Sequence, residues 1–360
     1  MNKRRSTIRV LLILLFSAIF VVSSSAQDTA TNPDDYMKEK AARQFFSGSV
    51  LITKDRDKIF CKSYGFANTE RGIPNTPDTK FHIGSMTKQF TAMAIMILQE
   101  QGKLTVQDTI GKLLPDMPPS WQPITIHQLL THTSGLMHSW ELPELRETMT
   151  VPSTLDQTLA RFKDKPLLSE PGKKFHYSGL GYFILAKIIE NVSGMPYVDF
   201  LRKHIFDPLQ MKDTGDDSQA PVPANLASGY IRKGERIENA PPVYMPIMTG
   251  GGNLYSTVND LSKWDQALNA GQLISKASYE AMYTPFKENY AYGWIVLGKG
   301  NRKRIGHTGA MPGFNSYILR VPGERVCIIV LSNSTPGYVG QIGNDLGAIV
   351  FGKSSEETKR

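Results

Sequence analysis

Apolar residues run almost unbroken from Val10 to Val22, and beyond that they recur in two rhythms. Short apolar runs bounded by polar turns read as strands, and longer runs with helical spacing read as helices. Asp34 to Arg43 reads as a short helix. Phe45–Thr53 and Lys58–Gly65 read as a strand pair turning at Lys54-Asp55-Arg56-Asp57, followed by a loop from Asn68 to Pro77. A long helix is predicted from Ser85 to about Gln101. Its apolar side chains, Phe90, Met93, Ala94, Ile97 and Leu98 among them, lie nearly all round, which predicts burial on most sides, and Gly102 stops it. Further helices are predicted over Ile126–Thr131, Thr154–Phe162, Gly179–Val192 and Tyr197–Ile205, separated by Pro-containing links. Strand texture returns after Ala227, at Gly229–Lys233, Tyr292–Leu297, Arg304–His307, Asn315–Val321 and Arg325–Ser332. Between and after these strands lie two more helices. Ser256–Ala270 carries Thr257 and Asp260 at capping-box spacing, and the other spans Gly337 to Phe351.

Strands, then helices, then strands, then a helix is the order of an α+β fold. It predicts an antiparallel sheet built from both chain ends and flanked by helices, with a mostly helical lobe inserted. The α/β lobe takes about residues 36–84 and 226–352, and the helical lobe about 85–225. A cleft between two such lobes is a common place for a small-molecule site.

The opening apolar run is too short for a comfortable membrane span. Lys3, Arg4, Arg5 and Arg9 precede it, and Ser24-Ser25-Ala26 follows, so residues 1–26 read as a signal peptide cut before Gln27. An uncleaved N-terminal anchor is the alternative. The mature catalytic domain would then be residues 27–360, exported and periplasmic or secreted, with no membrane span left in it. Four of the cations behind the formal charge of +8 lie in this segment, which leaves a mild +4 beyond it. No dense basic block interleaved with aromatics appears, so nucleic acid is not an expected partner. Cys61 and Cys327 are the two cysteines, both in strand-like apolar runs, and they read as free buried thiols rather than a disulfide or a zinc site. No metal or other cofactor is called for, and the oligomeric state is open.

Chemistry concentrates in four segments. Ser85-Met86-Thr87-Lys88 is the chain's single Ser-x-x-Lys, and at a helix start it sets the hydroxyl and the amine on one face. A serine beside an amine is an activated nucleophile, whereas the plain alternative is a serine N-cap with a solvated lysine. Phe175-His176-Tyr177-Ser178-Gly179 begins a helix, and Tyr177 there can point its phenol into a cleft. Beside Lys88 its pKa would fall, making a phenolate base. Ile305-Gly306-His307-Thr308-Gly309-Ala310 ends a strand whose N–H groups could meet an oxyanion or an extended substrate, with a Gly-rich turn bearing a surface histidine as the alternative. Thr131-His132-Thr133-Ser134-Gly135 invites a base at His132, yet its setting reads as that of a hydrogen-bonded structural histidine. His82, His138, His176 and His204 show no metal-ligand spacing.

Together with Gly251-Gly252-Asn253-Leu254-Tyr255-Ser256, these segments resemble, in order and spacing, the serine beta-lactamase-related hydrolases. The branch is that of class C beta-lactamases, DD-carboxypeptidases, D-aminopeptidases and related esterases, and the resemblance covers about residues 36 to 351. It implies that Ser85 is acylated, that Lys88 helps move its proton, and that Tyr177 is the general base returning that proton to the leaving group. It implies an oxyanion hole from the backbone N–H groups of Ser85 and Ala310, and substrate binding by His307, Thr308 and Gly309. How lysine and tyrosine share the proton stays open. Two positions depart from the family. Gly179 stands where the Tyr-x-Asn element has asparagine, so a contact to a substrate amide is missing or supplied from elsewhere. His307 stands where penicillin-recognising members carry lysine, and histidine is a poor cation at neutral pH.

The expectation is therefore an exported serine hydrolase acting on a small amide or ester, such as a D-amino-acid or cell-wall peptide. The alternatives are a beta-lactamase or DD-carboxypeptidase with penicillin-binding activity, and a catalytically silent envelope-binding protein. The Ser139–Glu147 loop and Trp140, placed in the helical lobe, are expected to close over the cleft.

Overall fold

The computed structural model describes residues 32–43, 46–217, 222–234 and 236–352. The predicted signal segment and the start of the first predicted strand, at Phe45, lie outside the described residues. The predicted helices from both ends and the middle of the chain are present: α1 (Pro33–Ala42), α2 (Thr87–Glu100), α3 (Gly179–Ser193), α4 (Val258–Ala270) and α5 (Val339–Phe351). The main sheet has six strands: β1 (Gly48–Lys54), β2 (Asp57–Tyr64), β3 (Ile295–Leu297), β4 (Arg304–Met311), β5 (Phe314–Val321) and β6 (Val326–Ser332). In space they run β3-β4-β5-β6-β1-β2, all antiparallel, so β1 from the N-terminal side pairs directly with β6 from the C-terminal side.

Strand periodicity explains why both faces are covered. In β6, Val326, Ile328 and Val330 join Val50, Ile52, Ile342 and Leu346 in one core under α1 and α5. The alternate residues Cys327, Ile329 and Leu331 join Leu51, Phe90 and Trp264 in a larger core that continues into the helical region. Successive strand side chains point to opposite faces, so one apolar run serves two cores. α2 lies inside the larger core and is buried from Thr87 to Leu98, as its all-round apolar pattern requires. α3 packs on α2 and ends at Gly194 in a left-handed turn with φ 71°.

Several boundaries differ from expectation. β4 continues past His307 to Met311, because the 304–311 run alternates buried and exposed side chains to its end. The strand expected from Tyr292 begins only at Ile295, and Tyr290 and Tyr292 turn inward and are buried instead. The helix expected over Tyr197–Ile205 is α-helical to Leu201 and widens into a π turn at Arg202–Phe206. The expected loop after Asn68 holds a two-stranded ribbon, Phe66–Asn68 with Ile73–Pro74, and Arg236–Asn239 pairs with Tyr230–Lys233. At α4, Thr257 accepts from the Asp260 N–H at 3.1 Å, but the Asp260 carboxylate turns to the Asp213 N–H rather than completing the box. Cys61 and Cys327 are both free thiols. Cys327 is buried, whereas Cys61, on the edge strand β2, is partly exposed rather than buried as expected. Among the described residues no helix is long and apolar enough to cross a membrane.

Candidate active site

Between Phe81 and Leu98 every residue but Ser85 is buried. It lies in a single 3-10 turn, Gly84–Met86, that runs straight into α2. This serine is no N-cap, since no side-chain capping bond forms at either helix start. Lys88, one turn on, is 2 % exposed. Its Nζ donates to Ser85 Oγ at 3.0 Å and to the Gly251 carbonyl at 2.6 Å. The solvated-lysine reading is thereby excluded. Both partners are neutral oxygens, and burial pulls the ammonium down to about 7. A neutral amine within hydrogen-bonding distance of a hydroxyl can take its proton. Asn253 Oδ1 accepts from the Gly250 N–H at 3.0 Å and so fixes the loop whose carbonyl holds Lys88.

Tyr177 stands just ahead of α3, whose first turn is capped by Ser178 accepting from Gly181 N–H at 3.2 Å. The 131–138 segment sets its position. His132 takes the His176 N–H on its carbonyl at 2.8 Å and the Ser178 N–H on Nδ1 at 3.1 Å, and Met137 O accepts from Ser178 Oγ at 2.7 Å. His132 is fully buried, with its ring centroid 4.2 Å from that of Tyr177, and burial holds its pKa well below the ordinary value. It is a neutral structural histidine, as its setting suggested. The expected fall in the Tyr177 pKa is reversed. Desolvation raises it, and a hydrogen bond with Ser85 opposes the rise only in part. Burial dominates even though Lys88 Nζ lies 5.0 Å from the centroid of the Tyr177 ring. Tyr177 is therefore a phenol, and the group tuned toward neutral pH is Lys88.

β3 pairs with β4 only as far as Gly306, which leaves the edge from His307 to Met311 open toward the Ser85 turn. A Cβ on Gly84 would come within 2.8 Å of Ala310 N, so the backbones of Ser85 and Ala310 converge. Gly309 is required by this seam, because a Cβ there would overlap the Ile83 carbonyl, which accepts from Ser316 Oγ at 2.7 Å. Thr308 and Ala310 face outward, and His307 and Gly309 inward.

His307 is neither a surface histidine nor a cation. Its Nδ1 meets the Thr308 carbonyl at 2.5 Å and must carry the proton, so Nε2 accepts from the Tyr290 hydroxyl at 2.9 Å. Burial first, and then the Lys88 charge, lower its pKa to about 3. Tyr290, Tyr182 and His138 complete the walls, and sequence reading assigned none of them here. The ring centroid of Tyr290 lies 4.5 Å from that of His132, and Tyr182 donates to the Leu130 carbonyl at 2.9 Å. Tyr182, five residues after Tyr177, was within reach as a sequence signal. Tyr290 was not, since it arrives from a distant irregular segment. Among the described residues no three His, Cys, Asp or Glu side chains gather as a metal site would require.

The space beside Gly179 is already filled. A Cβ there would overlap Ser139 Oγ and lie 3.5 Å from His138 Cε1. The 138–141 turn thus borders the site, held by a capping box in which Glu141 accepts from the His138 N–H at 3.0 Å.

Comparison with known proteins places nearly the whole chain among relatives of one fold. The family model described as Beta-lactamase matches residues 33–349. The chain is 31% identical over 315 residues to penicillin-binding protein 4* of Bacillus subtilis (strain 168), covering 80% of this chain and 68% of that protein. The octameric penicillin-binding protein homologue from Pyrococcus abyssi superposes with a TM-score of 0.80 at 33% identity, over 91% of this chain and 78% of that one. The D-amino acid amidase of Ochrobactrum anthropi SV3 shares the fold, with a TM-score of 0.75 at 23% identity over 91% of this chain and 98% of that one.

Proposed function

Since the chain belongs to the beta-lactamase family, we propose that it is an exported serine hydrolase that cleaves a small amide or ester through an acyl-enzyme on Ser85. One observation carries the proposal: Lys88 Nζ lies 3.0 Å from Ser85 Oγ, buried among neutral oxygens that leave its pKa at about 7. The neutral amine of Lys88 takes the Ser85 proton as Oγ bonds to the substrate carbonyl carbon. The oxygen that becomes negative is met by the N–H groups of Ser85 and Ala310. The proton then passes from Lys88 through the Tyr177 hydroxyl, which gives its own proton to the departing amine or alkoxide as the scissile bond breaks. Water attacks the acyl-enzyme by the reverse route and restores Ser85. Tyr177 acts as a phenol relay rather than as a phenolate. Thr308 and Gly309 offer open backbone edge to an extended substrate, with His307 behind them. Export rests on the signal-like residues 1–26, and the division into an α/β and a helical lobe rests on the order of elements.

A second reading, a beta-lactamase or penicillin-binding carboxypeptidase, draws support from the relatives named as penicillin-binding proteins. It calls for a cation facing the substrate carboxylate, and a neutral His307 locked between Tyr290 and Thr308 supplies none. The amidase on the same fold favours amide chemistry on amino-acid substrates. A panel of nitrocefin, p-nitrophenyl esters and D-alanine p-nitroanilide separates the two. The proposal expects turnover of the esters or the anilide with slow nitrocefin, and rapid nitrocefin turnover with idle esters contradicts it.

A further inference from the structure

The asparagine of the family's Tyr-x-Asn element is absent at Gly179, and a side chain put back there would have to move the Ser139 hydroxyl and pack against His138. His138 and Ser139 hold that volume, from a different element. The His138 ring stands beside Tyr177, with centroids 5.3 Å apart, and is partly exposed. Its Nδ1 accepts from the Trp140 N–H at 3.3 Å and faces Ser139 Oγ at 3.4 Å. A neutral ring that accepts at Nδ1 carries its proton on Nε2. Nε2 is bonded to Cε1, the atom 3.5 Å from the missing side chain's first carbon. The donor that an asparagine would present is thus replaced by another donor, at the same wall of the cleft.

We propose that His138, through Nε2–H, is the specificity-determining residue that binds an amide carbonyl beside the scissile bond, selecting substrates with an acylamino group on the acyl side. Two features support it. The turn is rigid: Glu141 ties the His138 N–H, and His176 Nε2, from the segment carrying Tyr177, reaches the Glu141 carboxylate at 3.3 Å. A donor fixed in place loses little entropy on binding. The ring is also held neutral, since desolvation, Lys88 and His176 lower its pKa to about 3, so the donor persists across the working pH range.

The inference rests on the Ser85 reading, and the test separates the two. Wild type, His138→Ala and His138→Gln are assayed with the p-nitrophenyl esters of N-acetyl-D-alanine and of propionic acid, which differ by the acetylamino and not the leaving group. Fluorophosphonate labelling of each variant reports whether Ser85 still reacts. The expected result is a wild-type preference for the acylamino ester that falls about tenfold in His138→Ala, the scale of one neutral hydrogen bond. His138→Gln, which keeps a donor, recovers part of it. An unchanged preference in His138→Ala, no preference in wild type, or an equal fall for both esters without rescue by glutamine overturns the role of His138. Failure of wild type to label overturns the Ser85 reading instead.

Discussion

At Lys88, burial strips water from an ammonium and returns only two neutral oxygens, from Ser85 and Gly251. Two expectations follow at this scale. The acylation rate should rise with pH through about 7, because the neutral amine is the base, and Lys88→Ala should lose about 10²- to 10⁴-fold in rate together with that limb. Pre-steady-state acylation against pH checks both. The second concerns stability. The unfolded chain keeps this proton up to the ordinary value of 10.5, while the folded chain releases it near 7. Folding stability therefore rises with pH across that window, and the melting-temperature gain of Lys88→Met over wild type should be larger at pH 7 than at pH 10. A gap that does not change with pH contradicts the burial argument. That Ser85 and Lys88 come together could be read from the sequence because their spacing is local to one helix start. The protonation state of Tyr177 could not, since it depends on how completely the folded chain desolvates the hydroxyl. His138 was invisible for a related reason: only the folded chain shows that its turn fills the volume beside Gly179.

In the proposed mechanism, reactivity turns on the open stretch of β4 lying against the Ser85 turn. Its register is pinned where Gly309 slides under the Ile83 carbonyl, with Ser316 bonded to the same oxygen. Gly309→Ala should force the seam apart, cost about 1–3 kcal/mol of stability and lower kcat by on the order of 10²-fold through displacement of Ala310 N. Urea unfolding and ester kinetics measure the two effects, and a variant with wild-type kcat contradicts the role given to this seam. Strand periodicity made β1, β2, β5 and β6 legible, because alternation feeds two cores. It under-read β4, where glycines at 306 and 309 mimic a turn but instead permit close backbone approach. The brief ribbons at 66–74 and 236–239 carry too few residues for alternation to register.

Across the whole molecule, the α4 layer is bolted to the sheet by one buried ion pair. Arg320 of β5 donates through Nε to Asp265 of α4 at 2.5 Å, with further bonds to Tyr283 and Asn269, and both charged side chains are nearly inaccessible. Asp265→Ala leaves a buried guanidinium unpaired and should cost about 3–5 kcal/mol, while Asp265→Ala with Arg320→Met should recover much of that loss. Denaturant titration of the single and double variants tests this, and additive losses would show that the pair is not coupled. The order of strands and helices was enough to foresee a sheet closed by both chain ends. The pairing of Asp265 with Arg320 was not foreseeable, since 55 positions separate them. The central claim concerns one covalent bond, and the mass of the whole chain reports it. Intact-mass measurement after fluorophosphonate treatment should show a single added phosphonyl group, mapped to the peptide containing Ser85 and absent from Ser85→Ala. An unmodified wild-type chain, or equal modification of Ser85→Ala, would contradict the account.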